Sequence, residues 1–336
     1  MGFSRQKYPV AAIDVFAEAH RLYHNIKKKH ETEDLSTVSF PGANRNRSTA
    51  IYAELAVELI SELEAFIHED VTTLLLFDNP TSKSDGRRQI SSSYKKHRQE
   101  KPTTFYRTID FVQFYCTQTF RSSAYVVRVP NREADDLIKT FLDTKGAGCF
   151  NLAEDQKVLM IANDSDWYAC LASGADIWWH TAATEEPYTE LHFKNEYGFY
   201  PSMSRVALMK ALMGDRADNI EPVLRKRDIS HEELLHLIQK YGENTGDAES
   251  LPARVSLDPF ISERVRHLIA DQRSQFLVNL QLTDGLPIQE ARLLRHTFQC
   301  KDNGVLRRTL DKVLRSVIHP TEVRKPFRFG GVSANV

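Results

Sequence analysis

Three acidic residues crowd together in the stretch NREADDLIKTF, residues 131–141, where Glu133, Asp135 and Asp136 fall within four consecutive positions. We expect a helix to begin there, because apolar residues follow at helical spacing. Two unit charges about 4 Å apart repel by roughly 4 kcal/mol at an effective dielectric constant near 20. A helix N-terminus offsets only about 0.3–1 kcal/mol per charge. Either the carboxylates point apart into water, or a cation lies among them.

Further carboxylates follow other apolar stretches, which are typical of buried strands. The carboxyl ends of parallel strands converge on one edge of an α/β sheet, where ligands bind, so these side chains are expected to meet. Hard oxygen ligands in such number suit Mg²⁺ or Mn²⁺ rather than zinc. Two such ions roughly 3.5–4 Å apart form a clamp for phosphoryl chemistry. The predicted ligands of two Mg²⁺ ions, for which Mn²⁺ can substitute, are Asp14, Asp78, Glu133, Asp135, Asp136, Asp164, Asp166, Asp215 and Asp218.

A calcium-binding loop is the main alternative for the spacing of Asp164 and Asp166. Such a loop needs a glycine at its sixth position and a bidentate glutamate at its twelfth. Alanine stands at both places in this chain, at Ala169 and Ala175. The spacing therefore excludes a calcium loop of this kind.

A basic run between Asp78 and Glu133 contains Tyr94 among its cations. Such a run suits a phosphate backbone, with a base stacking on the aromatic ring. The alternative interpretation of the basic run is a solvated, charged helix face. Because an acidic metal site repels nucleic acid, adjacent cations are needed to bring phosphates in, and we therefore favour nucleic-acid binding. The cations of the run are Lys83, Arg87, Arg88, Lys95, Lys96, Arg98 and Lys101.

Short apolar runs alternate with helix-period stretches up to about residue 200, which predicts an α/β fold with a mainly parallel central sheet and helices on both faces. Helices and loops follow, so a smaller helical C-terminal domain is expected. A polar stretch at 242–259 reads as a loop. The predicted domains are 1–200 and 201–327, with a flexible tail at 328–336. The predicted strands cover 8–14, 71–78, 124–129, 157–163 and 175–179, and the predicted helices include 48–69 and 132–143.

The composition is that of an ordinary globular protein, with 336 residues, 26% of them charged, and a formal net charge of -1. The four cysteines form no CxxC pair, which argues against a zinc knuckle and a disulfide framework. We see neither a signal peptide nor an apolar run approaching the ~20 residues of a membrane span. A cytoplasmic location, without membrane association, is therefore expected.

Six motifs together resemble one known pattern, that of the 5′-nuclease superfamily of flap endonucleases and 5′–3′ exonucleases. The chain carries, in this order, AIDVFAEAHR, LLLFDN, SYKKHR, NREADDLI, NDSDW and MGDRADNI. Within the superfamily the chain is most similar to the RNase H of T-even phages. The resemblance implies a helical arch at about 79–123 and Mg²⁺-dependent removal of RNA primers and 5′ flaps.

The resemblance also implies roles for individual residues. Lys95 and Arg98 would contact the scissile phosphate, Tyr94 would stack on a base near the cut, and Arg21 would lie near the terminal nucleotides. Arg87, Arg88 and Lys96 of the basic run would also bind nucleic acid. The first metal site would comprise Asp14, Asp78, Glu133 and Asp135, with Asp136 in or beside it, and the second Asp164, Asp166, Asp215 and Asp218. Asp135 and Asp164 are the carboxylates expected to be most directly catalytic.

One departure from the superfamily pattern follows the MGDRADNI motif. Many members carry a glycine-rich hairpin there, which grips duplex backbone, often through a bound monovalent cation. Here the sequence is IEPVLRKRDISHEELLHLI, which contains no glycine, although such tight turns favour glycine. We therefore expect no potassium site, and expect Arg225, Lys226 and Arg227 to hold the duplex by charge.

The sequence thus predicts a two-metal 5′ nuclease that acts on RNA–DNA hybrids and DNA 5′ flaps during DNA replication. It is expected to be a monomer in the cytoplasm, or in the host cytoplasm if encoded by a phage. A single-strand DNA-binding protein or another replication factor is a candidate partner. The alternatives are a PIN-type ribonuclease, which usually lacks the arch, and a catalytically silent nucleic-acid-binding protein. No residue was identified that reads a 2′-hydroxyl, so the preference between RNA and DNA stays open.

Overall fold

The structure is a computed structural model that describes residues 7–32, 47–79, 86–96, 101–146, 148–162, 164–179, 186–243, 249–286 and 288–318. Its centre is a six-stranded sheet with the strand order β5-β4-β1-β2-β3-β6. Every pairing is parallel except that of β3 with β6, which is antiparallel. The strands are β1 Val10–Asp14, β2 Thr72–Leu76, β3 Ala124–Val127, β4 Val158–Ala162, β5 Ala175–Trp179 and β6 Thr297–Gln299.

Helices connect the strands and make up most of the chain after β5. A 3-10 helix, Ser165–Ser173, lies between β4 and β5. The first helices are α1 Val15–Thr32, α2 Arg47–Ala65, α3 Gly86–Ile90, α4 Thr103–Thr119 and α5 Ala134–Asp143. Those after β5 are α6 Glu190–Tyr197, α7 Met203–Met213, α8 His231–Tyr241, α9 Leu251–Ser256, α10 Glu263–Asp271, α11 Arg273–Thr283, α12 Glu290–Arg295 and α13 Gly304–Ile318.

Alternating strand residues face two separate cores, as a parallel sheet covered on both sides requires. On one face Ala11, Ile13 and Leu75 pack with α1, α2 and α4. On the other face Val10 and Ala12 pack with α5, the 3-10 helix and α6. The predicted α/β architecture with a mainly parallel sheet is confirmed, including all five predicted strands.

The later helices α7 to α11 enclose a third apolar core, in which Leu208, Val265 and Phe276 are buried. The predicted loop at 242–259 is wrong in part, because α9 forms within it and buries Leu251 and Val255. None of the described helices is long and apolar enough to cross a membrane.

The end of the described chain returns to the sheet, which the sequence did not predict. Strand β6 pairs with β3, and α13 packs on α2 and α4, with Leu314 in their core. These elements belong to the predicted C-terminal domain 201–327, whose boundary stays a prediction. The predicted tail 328–336 lies outside the described residues.

Candidate active site

A cavity of about 100 Å³ lies at the carboxyl edge of the sheet. It occupies the crevice next to β1, where the strand order reverses and where open α/β sheets bind ligands. Four separate chain segments contribute carboxylates to its lining, and each segment lies at or after the carboxyl end of one strand. These residues are Asp14, Asp78, Glu133, Asp135, Asp164 and Asp166.

Backbone N–H groups at helix starts hold the first carboxylates in place. Asp14 ends β1, and its Oδ1 accepts a hydrogen bond of 2.9 Å from the N–H of Ala17 in α1. Asp78 follows β2, and its Oδ1 accepts one of 2.7 Å from the N–H of Ala134 at the start of α5. The first N–H groups of a helix have no partner within the helix, so a carboxylate fits them. The strand-to-helix turns therefore point these carboxylates into the cavity.

The crowded carboxylates at the start of α5 share an internal counter-ion, Arg87. Its Nη1 lies 2.5 Å from Glu133 Oε2, and its Nη2 lies 2.9 Å from Asp135 Oδ2 and 2.8 Å from Asp136 Oδ1. Lys139, one helical turn after Asp135, adds an ammonium contact of 3.1 Å to Asp135 Oδ2. Cations of the protein itself therefore offset the repulsion that the EADD stretch would otherwise suffer.

The predicted nucleic-acid contact of Arg87 is not supported by its position. Arg87 is only 2% exposed, beneath the carboxylates and not on a surface. The same correction applies to Tyr94, which is 1% exposed and cannot stack on a base in this conformation. Its hydroxyl lies 2.8 Å from Asp218 Oδ2 and 3.1 Å from Glu133 Oε2. Both residues were assigned to nucleic acid because the run around them is basic, whereas both turn inward to meet acidic partners.

Lys95 lines the cavity, as a residue that meets a scissile phosphate would have to. Its ammonium group lies 2.8 Å from both carboxylate oxygens of Glu133 and 3.6 Å from Asp218 Oδ1. The backbone at Lys95 has a φ of 52°, a left-handed conformation that is uncommon for a residue with a Cβ. Arg98, the other predicted phosphate contact, lies outside the described residues.

Asp215 does not line the cavity but is joined to it through Lys210, a buried residue of α7. The Lys210 ammonium group contacts the Asp166 carboxylate and lies 3.0 Å from Asp215 Oδ2. Asp218 is joined to the cavity in the same way through Lys95.

Sequence reasoning missed both Lys139 and Lys210 as members of the site. Only Lys139 had a readable signal, because a lysine four residues after an aspartate pairs with it on a helix.

Burial and mutual repulsion raise the pKa values of three carboxyl groups of the site. Burial raises the pKa of Asp14 to about 7, and the Asp164 carboxylate adds to the shift. Burial likewise raises the pKa of Asp164 to about 7, with repulsion from Asp166. Desolvation raises the pKa of Asp78 well above its ordinary value, and Asp14 contributes again. These carboxylates lack sufficient positive charge nearby, which a bound divalent cation would supply.

The pKa is lowered at the carboxylates that face cations of the protein itself. Although burial opposes it, the Arg87 guanidinium holds the pKa of Asp135 well below its ordinary value. Burial is outweighed at Asp166 as well, where Lys210 lowers the pKa of the carboxyl group. The site thus contains carboxylates that are firmly ionised beside others that a cation would ionise.

The donor set fits Mg²⁺ or Mn²⁺, since it consists of carboxylate oxygens from several strand ends. Among the described residues, no three His, Cys, Asp or Glu side chains already converge as ligands of one ion. In this conformation the ammonium groups of Lys95 and Lys210 are bound to Glu133 and Asp166. Metal binding at these two carboxylates would therefore require the side chains to exchange an ammonium partner for an ion.

Comparison with known families agrees with this geometry. The family of 5′–3′ exonucleases, through its N-terminal resolvase-like domain, matches residues 9–198, which is more than half of the chain. The chain belongs to this 5′–3′ exonuclease family of nucleases. No curated protein sequence matched the chain.

Solved structures of a bacteriophage T5 nuclease share the fold of this 5′–3′ exonuclease family member. The T5 protein crystallised with metal ions has a TM-score of 0.56 at 18% identity, and the match covers 92% of this chain and 99% of that chain. The T5 5′-exonuclease with bound zinc has a TM-score of 0.55 at 19% identity, with 92% and 99% covered. The T5 flap endonuclease in complex with DNA and metal ions has a TM-score of 0.55 at 17% identity, with 92% and 98% covered.

Three further predicted nucleic-acid contacts, Arg21, Arg88 and Lys96, differ in how exposed they are. Arg21 of α1 is half-buried, and its guanidinium binds Glu18 at 2.8 Å and contacts Glu62. Arg88 is half-buried, whereas Lys96 is exposed. The role of these three residues in binding a nucleic-acid strand stays a prediction.

A larger groove of about 1110 Å³ adjoins the carboxylate site at Asp215. The exposed side chains of Arg225, Lys226 and Arg227 line it, together with Arg216. The structure therefore brings the three predicted duplex contacts to one concave surface beside the site.

Proposed function

We propose that the chain is a two-metal, Mg²⁺-dependent 5′ nuclease, in which Mn²⁺ can replace Mg²⁺. The observation that carries this proposal is the cavity at the carboxyl edge of the sheet, which six carboxylates from four strand ends line. Its raised pKa values at Asp14 and Asp164 support a place for divalent cations. Bound ions would activate a water molecule and stabilise the leaving oxygen of a phosphodiester.

The chain's own residues would position both the ions and the phosphate. Helix N-termini hold Asp14 and Asp78, so these carboxylates are oriented before any ligand arrives. Lys95 carries a positive charge at the cavity wall, which would stabilise negative charge on the transferring phosphate. We propose the same role for Arg98, and assign the most direct catalytic roles to Asp135 and Asp164.

The proposed substrates are RNA–DNA hybrids and DNA with 5′ flaps, cleaved during removal of primers in DNA replication. A related fold in complex with DNA supports a DNA substrate. The lack of glycine in the segment after Asn219 supports the narrower assignment to enzymes like the RNase H of T-even phages. Duplex would lie along the groove that contains Arg225, Lys226 and Arg227.

The experiment that tests the proposal compares three 5′-labelled substrates in Mg²⁺, each with an EDTA control. They are a nicked duplex with a DNA flap, a blunt duplex and an RNA–DNA hybrid. We expect short 5′ products that disappear in EDTA, and their ratio gives the substrate preference. The Asp164→Asn variant should lose cleavage but keep duplex binding. Absence of products in both Mg²⁺ and Mn²⁺ from protein that binds the substrates would overturn the proposal.

A further inference from the structure

A short segment, Gly86–Lys96, runs beneath the carboxylate site. It comprises α3 and the turn after it. Two of its side chains, Arg87 and Tyr94, are almost fully buried, at 2% and 1% exposure. Both reach carboxylates that belong to the proposed cation sites. The segment is thus an internal support of the site, although its sequence suggests an exposed basic surface.

Arg87 uses its guanidinium as a rigid fork. One nitrogen contacts Glu133, and the other contacts Asp135 and Asp136. The N–H of its third nitrogen, Nε, donates a hydrogen bond of 3.1 Å to the carbonyl oxygen of Leu282 in α11. A planar group that binds three carboxylates and a carbonyl at once fixes their relative positions, which a single ammonium group cannot do.

Tyr94 connects the two sets of carboxylates. Its hydroxyl lies within hydrogen-bonding distance of both Glu133 and Asp218. Its ring packs in a small apolar cluster with Ile220 and Leu282, so the hydroxyl cannot move freely. A base that stacked on this ring would have to displace that cluster.

Backbone contacts hold the same segment against the turn that carries Asp218. The N–H of Lys95 donates a hydrogen bond of 2.9 Å to the Asp218 carbonyl oxygen. The side-chain amide of Asn219 donates one of 2.8 Å to the carbonyl oxygen of Ser93. The segment therefore spans from α5 to this turn, and its position depends on both.

We infer that Arg87 and Tyr94 are positioning residues for the divalent cations and not contacts to nucleic acid. Arg87 sets the geometry of Glu133, Asp135 and Asp136, and Tyr94 fixes Glu133 relative to Asp218. This inference rests on the proposed function, since it concerns the same cation site. Residues that orient metal-binding carboxylates typically change metal affinity by 10- to 100-fold when replaced.

The first test replaces Arg87 by lysine, which retains the charge but removes the fork. Mn²⁺ binding to the full chain is measured by electron paramagnetic resonance, and duplex binding by fluorescence anisotropy over a range of salt concentrations. We expect Mn²⁺ affinity to fall by about tenfold, with duplex affinity unchanged. A phosphate contact would give the reverse, namely unchanged Mn²⁺ affinity and weaker duplex binding, because lysine keeps the charge but cannot make the bidentate contact of arginine to a phosphate. That result would overturn the inference.

The second test replaces Tyr94 by phenylalanine, which keeps the ring and removes only the hydroxyl. Because the change is small, this variant tests the inference even if Arg87→Lys does not fold. We expect a several-fold loss of Mn²⁺ affinity and unchanged duplex binding. A stacking residue would tolerate phenylalanine in both measurements, so a variant equal to the wild type would overturn the role of Tyr94. The matched control is Arg307→Lys, a paired, half-buried arginine on α13, for which no change in Mn²⁺ affinity is expected.

Cleavage assays of the wild type separate this inference from the proposed function. If the wild type binds Mn²⁺ but cleaves no 5′-labelled substrate, the proposed function fails while the positioning role is still decided by the Mn²⁺ titrations. If the wild type cleaves and both variants bind Mn²⁺ like the wild type, only the positioning role is overturned. If the wild type binds no Mn²⁺, both fail.

Discussion

The Lys210 ammonium nitrogen lies 3.0 Å from Oδ2 of Asp215. The same nitrogen contacts the carboxylate of Asp166, which belongs to the 3-10 helix after β4. Lys210 is 8% exposed, so water screens this arrangement poorly. A single buried cation therefore holds together two carboxylates from distant parts of the chain. Removal of one partner from a buried ion pair typically costs about 3–5 kcal/mol, because the other charge stays buried without compensation.

Replacement of Lys210 by methionine should therefore destabilise the protein, and Mg²⁺ should reverse part of the loss. We expect the free energy of unfolding in EDTA to fall by about 3 kcal/mol. A divalent cation can take over the neutralising charge, so the loss should be smaller in Mg²⁺. Urea denaturation under both conditions measures the difference. The control Lys27→Met removes an exposed pair with Glu31 and should change stability by about 0.5 kcal/mol or less. Equal losses in EDTA and Mg²⁺ would contradict this account.

Gly214 positions Asp215 at the end of α7 and should not tolerate a side chain. Its φ is +75°, and an added Cβ would lie 2.7 Å from the Ile220 carbonyl oxygen and 2.7 Å from the Pro222 nitrogen. Both neighbours are backbone atoms, so the turn itself would have to shift. We expect Gly214→Ala to lower the free energy of unfolding by about 2–3 kcal/mol and to weaken Mn²⁺ binding.

The matched control for this prediction is Gly174→Ala, because Gly174 has a φ of +83° but, within the described part of the chain, the added Cβ would have no atom within 4 Å other than those of Gly174 and its two chain neighbours. Only the penalty of the left-handed backbone applies there, about 1–2 kcal/mol. Thermal and urea unfolding of the two variants, with Mn²⁺ titration, compare the steric and the conformational cost. If both variants lost the same stability and kept the same Mn²⁺ affinity, the close approach at Gly214 would have no consequence.

The strands were predictable because each is a short apolar run that ends at a polar residue. The run YPVAAID contains β1, which the structure confines to Val10–Asp14. Strand β6 gave no such signal, since it has three residues and two of them are exposed. Its pairing with β3 depends on the fold of the whole later region, which local sequence patterns do not predict.

The carboxylates of the site were predictable because they follow these apolar runs, and the carboxyl ends of parallel strands converge on one edge of the sheet. The direction in which a basic side chain points was not predictable. Arg87 and Lys96 belong to one basic run, yet the first is buried among carboxylates and the second is exposed. Composition measures the charge of a segment, whereas tertiary packing decides which of its cations face inward. Lys210 had no local signal, since Gly214 ends its helix before Asp215.

The groove beside Asp215 should bind duplex by charge alone. We expect alanine at Arg225, Lys226 or Arg227 to weaken duplex binding and to reduce the slope of log Kd against log salt by about 1 each. Equal concentrations of KCl and NaCl should have the same effect, since no potassium site is expected. Anisotropy titrations in the Asp164→Asn background measure binding without cleavage.

Arg121→Ala is the control for the groove, because Arg121 is exposed and precedes β3, at the opposite edge of the sheet from the cavity. Its removal should leave the salt slope unchanged. A slope that stayed constant in all three groove variants, or fell equally in the control, would show that the duplex lies elsewhere.

Asp258 is a buried carboxylate of the later helices with several donors. The ammonium group of Lys240 and the imidazole of His236 each lie 2.9 Å from its Oδ2, and the Tyr241 hydroxyl lies 2.8 Å from the same atom. Although burial opposes the shift, these donors hold the pKa of Asp258 well below its ordinary value. Its stabilising effect is therefore fully present above the ordinary aspartate pKa of about 3.9 and is lost as the pH falls toward the folded-state value.

The Asp258→Asn variant should consequently be less stable than the wild type at neutral pH, by about 2 kcal/mol, because hydrogen bonds to a charged acceptor are lost. The difference should shrink steadily as the pH falls below about 4, because the Asp258 carboxyl group then becomes protonated in the unfolded wild type while it is still ionised in the folded protein. Urea denaturation from neutral to acidic pH measures both proteins, and only their difference is interpreted, because other carboxylates titrate in the same range. The exposed Asp271, changed to asparagine, should stay within about 0.5 kcal/mol of the wild type throughout. A difference that is independent of pH would mean that the ionised form of Asp258 adds nothing to the stability of these helices.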